Sequence, residues 1–522
     1  MACVLMLAAL SCLIHVANAN MWLNHGADLF NTRSAAGEML ISPDTAPNLH
    51  PRWKFFAGKD ISATPAVANG FVYFPSWNGN IYALNAFTGS LIWQRNLGQL
   101  TGLTGTGIIV NVTVSRATPT VSGIMLVVSI YGPAVVIALD RFTGRLIWQT
   151  TIDPRPFTTV TASGTTFFGS YYTGVASLEN IRTTPPCCVF RGSMVRLSLR
   201  TGELIWQTFT LPDNGGRYGG YSGASVWGSS PSIDPMRRLV YFGTGNLYSA
   251  PLAVEQCQQR QSNQTTKPTQ PDSCVSPDAL FDSLIAVEID SGRIRWARQL
   301  TPYDVFYFAC LTPNNPDCPP GPNLDADFGE APMLLSVPLN GVMRDILVAV
   351  QKSGFAWALD RDNGDILWSR KAGPGGLEGG GTWGAATDGE RVYTNIVNSY
   401  RVNFTLAPSN KVTTAGGWVG LNSSTGEILW TTANPSNETS NGPVSVVNGL
   451  VIAGSVASNG PVYAMDARTG EILWSYNTGA TVYGGASAAY GCLYIGNGYK
   501  VSLGAFHPTW TAGGYLYAFC VV

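Results

Sequence analysis

Charge is what this chain has least of. Aspartate, glutamate, lysine and arginine make up 12% of its 522 residues and nearly cancel, leaving a net charge of −1. That balance gives no basic footprint for a phosphate backbone, so nucleic acid is excluded as a partner. No Cys-x-x-Cys-His occurs, which excludes covalently attached c-type haem. No Gly-x-Gly-x-x-Gly stands between a strand pattern and a helix pattern, so nicotinamide or flavin use has no support. Beyond the first residues no apolar run is long enough to cross a bilayer, so no membrane span is expected in the mature chain.

What the chain has is repetition. Seven phrases end in tryptophan after a turn: FTGSLIWQ at Trp93, FTGRLIWQ at Trp148, RTGELIWQ at Trp206, DSGRIRWA at Trp296, DNGDILWS at Trp368, STGEILWT at Trp430 and RTGEILWS at Trp474. An eighth tryptophan, Trp53 in HPRWKFF, lacks the turn. A repeat of this kind fixes architecture before any single residue is read. Each phrase is strand, Thr-Gly-type turn, strand, and most have another strand pair upstream, as in ATPAVANGFVYFPS at 63–76. Four short antiparallel strands make a propeller blade. The C-terminal segment supplies strands at 484–497 and 514–522 but no closing phrase, and HPRWKFF can provide the missing outer strand. The expectation is an all-β, eight-bladed β-propeller, one domain over 20–522, its ring closed by strands from both chain ends. A regularly placed tryptophan on each outer strand then packs between neighbouring blades.

Residues 1–19 have the form of a secretory signal: an apolar stretch from Val4 to Val16, then Ala17-Asn18-Ala19 as a small-x-small cleavage site, although the leader lacks Lys and Arg. A retained membrane anchor is the alternative. Its removal leaves eight cysteines, an even number that suits disulfides in a secreted chain. Spacing suggests Cys257–Cys274, Cys310–Cys318 and Cys492–Cys520, and the adjacent Cys187 and Cys188 can pair with each other. Five Asn-x-Ser/Thr sequons, at Asn111, Asn263, Asn403, Asn422 and Asn437, fit a secreted glycoprotein. Two excursions interrupt the repeat. Residues 247–281, rich in Gln, Ser, Thr and Pro, read as a disulfide-tied surface loop. Residues 303–330, YDVFYFACLTPNNPDCPPGPNLDADFGE, mix aromatics with carboxylates, and long ordered loops in a compact repeat fold are often functional.

The AxDxxTGxxxW phrase resembles the repeat of the pyrroloquinoline quinone (PQQ) dependent alcohol dehydrogenases, and most of all their polyvinyl alcohol dehydrogenase-like branch. CCVFRGS (187–193), SIDPMRRLVYFGTGNLYS (232–249), DADFGEAP (325–332) and QKSGFAWALDRDNG (351–364) carry the likeness, which runs from WLNHGADLFNTR (22–33) to the last strand. The resemblance implies an oxidoreductase with PQQ and Ca²⁺ or a lanthanide. PQQ is flat and anionic, and its site needs a stacking surface, a hard cation on oxygen ligands, donors for its oxygens, and a base for the alcohol proton. By resemblance, Glu179 and Asn246 are metal ligands, Trp227 is the floor under the quinone, Trp383 a second wall, Lys352 the cation at the quinone oxygens, and Arg116 a carboxylate-binding arginine.

The base admits two alignments. In one, TPYDVFYFA (301–309) matches the family segment and Tyr307 replaces the catalytic aspartate. In the preferred one, Asp325 of DADFGEAP is the base and a metal ligand, and Asp327 is a second carboxylate. Cys187-Cys188 matches the family's vicinal disulfide but follows Glu179, where the family's precedes its glutamate. Two functions follow. The first is a secreted quinoprotein dehydrogenase acting on a small or polymeric alcohol and passing electrons to an external acceptor. The alternative is an inactive secreted propeller that binds glycan, cell wall or protein.

Overall fold

Antiparallel strands of two to nine residues account for nearly all regular structure in the computed structural model, which describes residues 21–262 and 272–521. The signal-like segment 1–19 and Asn263 lie outside the described residues. The strands form eight antiparallel sheets arranged as blades and two two-stranded ribbons, Ser222–Gly223 with Leu247–Ser249 and Phe404–Thr405 with Val412–Thr413. The first blade is Ala66–Ala68, Phe71–Pro75, Asn80–Asn85 and Leu91–Asn96, from innermost to outermost strand. Six more follow in chain order, with inner strands Thr120–Ser122, Thr165–Phe167, Ser232–Asp234, Met333–Leu339, Ala386–Thr387 and Ser445–Val447. The eighth combines Ser487–Ala489, Cys492–Gly496 and Tyr515–Cys520 with His50–Phe56 as its outer strand. His50 stands opposite Cys520 and Phe56 opposite Tyr515. The ring is therefore closed by both ends, which leaves no open sheet edge between first and last blades.

The tryptophan phrase acts between blades. Each indole N–H donates to a backbone carbonyl of the next blade: Trp53 to Ala86, Trp93 to Arg141, Trp148 to Leu199, Trp206 to Ile289, Trp296 to Arg361, Trp368 to Ser423 and Trp430 to Ala467, all at 2.8–3.1 Å. Trp474 completes the circle at the Leu49 carbonyl, 2.8 Å away, beside the N-terminal strand. The turn glycine of the receiving blade lies against the same indole. A Cβ on Gly470, at φ +73°, would sit 2.4 Å from the Trp430 ring. Glycine is thus required twice, for its backbone conformation and for the approach of the indole. Burying an indole of 150–250 Å² at roughly 25 cal/mol/Å² makes each lock worth several kcal/mol before entropy.

One element was not foreseen. The segment from Trp22 to Glu38 crosses the middle of the ring and makes a hydrogen bond to every blade in turn. Trp22 pairs with Val67, and Leu23, Leu29, Phe30, Thr32 and Arg33 offer carbonyls to Val121, Ile233, Leu334, Thr387 and Val446. Asn24 reaches Thr165 and the Glu38 carboxylate accepts from Gly491 N–H, at the third and eighth blades.

The four cysteine pairs suggested by spacing are joined. The polar excursion differs from expectation, because Leu252–Ser262 is an α-helix rather than loop. LAVEQCQQRQS contains neither Gly nor Pro and is rich in Gln, Glu and Arg, good helix formers that outweigh its lack of an apolar stripe. Among the described residues no helix is long and apolar enough to cross a membrane.

Candidate active site

A four-stranded blade sends its connections to two faces. The turns between third and outer strands, which carry the Thr-Gly phrases, lie on one. Connections after the second strand, and those entering the next blade, lie on the other. Glu179, Asn246 and Lys352 follow the second strands of blades three, four and five, and Arg116, Trp227, Asp325, Asp327 and Trp383 precede the inner strands of blades two, four, five, five and six. All therefore stand on the face opposite the repeat turns, together with both long excursions.

Contacts link these residues into one group. Lys352 Nζ lies 3.0 Å from Asp325 Oδ1 and 3.2 Å from Asp327 Oδ2, and 5.4 Å from the centroid of the Trp227 ring. Trp227 donates its indole N–H to Asp327 Oδ2 at 2.9 Å. The other Asp327 oxygen accepts the Asn246 backbone N–H at 2.7 Å. Trp383 meets Trp227 at 4.8 Å between centroids and 76° between planes. The two indoles make a corner, not parallel walls, so Trp383 faces the edge of anything laid flat on Trp227. The Arg116 guanidinium lies 4.1 Å from the Trp383 centroid. Its surroundings are the hydroxyls of Tyr499, Tyr483 and Tyr131. Trp227, Trp383, Arg116 and Cys187 are half-buried, while the carboxylates and Lys352 lie deeper.

Glu179 Oε2 accepts the backbone N–H groups of Val189 and Phe190 at 2.9 and 2.8 Å. The Cys187–Cys188 disulfide lies against the Glu179 carbonyl, with both sulfurs at 3.8 Å. Both Asn246 Nδ2 hydrogens are spent on the Leu247 and Phe306 carbonyls, at 2.7 and 2.8 Å. That fixes the amide so that Oδ1 is the free end, a suitable hard-cation ligand. Tyr248 joins the two halves. It packs with Cys188, and burial, reinforced by the negative charge of Asp327, Glu179 and Asp325, raises its phenol pKa. Among the described residues no group of three or more His, Cys, Asp and Glu has the geometry to hold a metal ion.

Charge balance explains the carboxylates. Two of them face one ammonium in a buried place. Burial works against the Lys352 charge, but Asp325 and Asp327 outweigh it and hold the ammonium above its usual range. Burial pushes the Asp325 carboxyl well above the usual carboxylate range; Lys352 opposes this, and Asp327 and Asp304 add to it.

Asp304, the aspartate of TPYDVFYFA, is wholly buried. Its carboxylate accepts the backbone N–H groups of Leu324, Asp325 and Ala326 at 2.9, 3.1 and 2.8 Å, which clamps the turn where Asp325 has φ +53°. Tyr307 is turned into its own loop, donating to the Asp317 carbonyl. The two segments that competed in the sequence therefore lie together, Asp304 of one bracing the backbone of Asp325 in the other. On the same face, Phe308 meets Phe506 of the eighth-blade connection at 6.3 Å, and His507 lies 2.7 Å from Glu378.

Comparison with known proteins decides the relationship. The PQQ_2 family model, described as outer membrane protein assembly factor BamB, matches residues 46–298 and 352–505. The chain belongs to this PQQ-type propeller family. Within the family it stands with the PQQ-dependent alcohol dehydrogenases, in the polyvinyl alcohol dehydrogenase-like branch, as an alcohol dehydrogenase-like oxidoreductase. It is 29% identical to a polyvinylalcohol dehydrogenase of a Pseudomonas species, over 93% of this chain and 74% of that one. It is 28% identical to the polyvinylalcohol dehydrogenase of Sphingopyxis sp. strain 113P3, over 92% and 73%. The fold is shared with quinohemoprotein alcohol dehydrogenase from Comamonas testosteroni, at TM-score 0.74, 19% identity, and 97% and 81% coverage. The unmatched gap in the family model, 299–351, contains Asp304, Asp325 and Asp327. The general repeat thus accounts for the scaffold, and the carboxylate loop is additional to it.

Proposed function

We propose that the chain is a secreted quinoprotein dehydrogenase that oxidises an alcohol, polymeric or secondary, and passes the electrons to an external acceptor. The observation that carries this reading is the Lys352–Asp325–Asp327 cluster set against Trp227, its two carboxylates in the stretch that the family model does not match. The residues fit PQQ. Trp227 offers a ring surface, Lys352 a cation beside it, and Arg116 a guanidinium whose neighbours are hydroxyls rather than carboxylates. Glu179, Asn246 and Asp325 offer oxygens for Ca²⁺ or a lanthanide, with the Cys187–Cys188 disulfide beside Glu179. Bound there, PQQ supplies the two-electron acceptor that these side chains lack.

In this reading Asp325 is the base. Lys352 engages Oδ1, which leaves Oδ2 to take the hydroxyl proton as the alcohol carbon is oxidised. The raised proton affinity suits that task. Lys352 keeps its charge through Asp327 when Asp325 is protonated. Asp327 tethers Trp227 and the Asn246 backbone and so keeps floor and metal ligand in register. Asp304 is a positioning residue for the base. The Phe308–Phe506 pair on the same face, with Phe506 exposed, offers apolar surface that suits an amphiphilic chain. Removal of residues 1–19 on export delivers the domain to an oxidising compartment, where its four disulfides persist.

The test is reconstitution of the purified full chain with PQQ plus Ca²⁺ or La³⁺, read by dye reduction with primary, secondary and polymeric alcohols. Metal- and PQQ-dependent turnover is expected, greatest with secondary or polymeric alcohols. Absence of quinone binding at high micromolar PQQ overturns the reading in favour of a binding propeller.

A further inference from the structure

Where the N-terminal segment crosses the ring, a cavity of about 20 Å³ remains on the axis, lined by His25, Thr64, Arg116, Thr118, Ser163 and Ser229 among others. A space of that size holds one water-sized particle. Beside it lies Arg33, wholly buried. Arg33 gives its Nε hydrogen to the Val444 carbonyl at 2.6 Å and an Nη1 hydrogen to the His25 carbonyl. Its Nη2 has no hydrogen-bond partner among the described residues, and neither has the Thr64 hydroxyl. These two atoms converge. A Cβ on Gly485 would lie 2.4 Å from Arg33 Nη2 and 2.6 Å from Thr64 Oγ1, with Pro443, another lining residue, at 2.9 Å.

The charge around this space is positive. His25 does not contribute to it: Nε2 faces the Trp383 carbonyl, which can only accept, so the ring proton sits there and Nδ1 accepts from Thr118. Burial, with the charges of Arg33 and Arg116, keeps the imidazole neutral. Arg116 is surrounded by tyrosines. The carboxylate that offsets Arg33 is Glu330, whose oxygens are already bound to the Val350 and Ala385 N–H groups at 2.8 Å. A buried guanidinium with an unused donor is costly unless something compensates it.

We propose that the axial cavity binds one small monovalent anion of halide size, held between Arg33 Nη2 and the Thr64 hydroxyl. The volume excludes larger oxyanions. The site braces the segment that bonds to all eight blades, so occupancy stabilises the ring, and it does so without quinone.

The test uses the full chain free of PQQ, melted at constant ionic strength while gluconate is exchanged for chloride or bromide. Saturable halide stabilisation of about 2–4 °C is expected, with no effect of gluconate. Thr64→Val, which keeps shape and removes the donor, raises the halide concentration for half effect about tenfold. Crystals of the unmodified protein grown in bromide should show an anomalous peak within hydrogen-bonding distance of Arg33 Nη2. Equal melting in halide and gluconate, or a water at that position with no anomalous signal, overturns the proposal. The bromide result decides the matter even if Thr64→Val does not fold. Failure of quinone reconstitution has no bearing on it.

Discussion

The two faces of this propeller are built on opposite principles. On the turn face one device is repeated: an outer-strand indole donates to the next blade and, in seven of the eight joints, lies against a turn glycine. On the loop face nothing repeats. Asp325, Asp327, Lys352, Trp227 and Asn246 come from two neighbouring blades, and each makes a contact that no other blade reproduces. Repetition spreads stability around the ring, so one joint can be weakened while the others hold. A unique cluster has no such reserve, but little of the ring's stability depends on it. The faces should therefore respond to mutation in opposite currencies, one in melting temperature and the other in turnover.

The largest effect is expected at the base. Asp325→Asn keeps the volume and the backbone clamp from Asp304, and removes the proton acceptor. Turnover of the reconstituted enzyme should fall about 10³-fold, while the melting temperature changes little or rises, because an uncompensated negative charge is relieved next to Asp327. Dye reduction and calorimetry on the same preparation measure both. Unchanged turnover would remove Asp325 from the chemistry. A collapse in stability would erase the distinction between the faces.

The opposite result is expected at Trp430. It is 1% exposed and locks the sixth blade to the seventh. Trp430→Ala should cost about 3–5 kcal/mol of stability, seen as a lower melting temperature, with turnover per folded molecule unchanged. A change in alcohol turnover at constant folded fraction would show that the faces are mechanically coupled.

The same contrast governs what could be read from the sequence. The turn face was legible because its device is local: Thr-Gly, a short strand and a tryptophan lie within a few residues, and each copy confirms the others. Even the closure by HPRWKFF followed from a missing copy. The loop face was legible only residue by residue, through resemblance, since Asp325 and Lys352 meet across a strand hairpin and Trp227 joins them from another blade. Asp304 shows the limit. In the sequence it was only part of the TPYDVFYFA segment, whose alignment put Tyr307 in the base position; in the fold it holds the backbone of Asp325, and no periodicity signals a side-chain-to-backbone clamp across about twenty residues. The segment from Trp22 to Glu38 escaped for a related reason. It meets six of the eight blades through backbone bonds and the other two through the side chains of Asn24 and Glu38, and scattered bonds of this kind leave no periodic side-chain pattern.

A smaller effect on the loop face is expected at Glu179. Glu179→Gln preserves the bonds to Val189 and Phe190 through the amide oxygen but turns an NH₂ toward the proposed metal. Apparent affinity for Ca²⁺ should weaken by at least roughly tenfold, measured as the metal concentration giving half-maximal turnover, with melting of the metal-free chain unaltered. Unchanged metal dependence would move the ion elsewhere and leave Glu179 as a brace for the disulfide turn.

The axis between the faces can be assigned by pH. His25 is buried, and its imidazole pKa lies well below the ordinary 6.5. The unfolded chain therefore binds this proton more readily than the folded chain. The neutral ring's contribution is fully present above pH 6.5 and is lost as pH falls below it, by about 1.4 kcal/mol for each pH unit until the folded group itself titrates. His25→Gln can still donate to the Trp383 carbonyl and accept from Thr118, but it carries no proton to titrate. Between pH 7 and 5 the variant's melting temperature should fall less steeply than that of the parent, and above pH 7.5 the two should run parallel. Turnover at pH 7.5 should be the same in both if the axis belongs to the scaffold. A drop in turnover with stability intact would instead assign the axis to the loop face, where Trp383, whose carbonyl His25 holds, forms the corner beside Trp227.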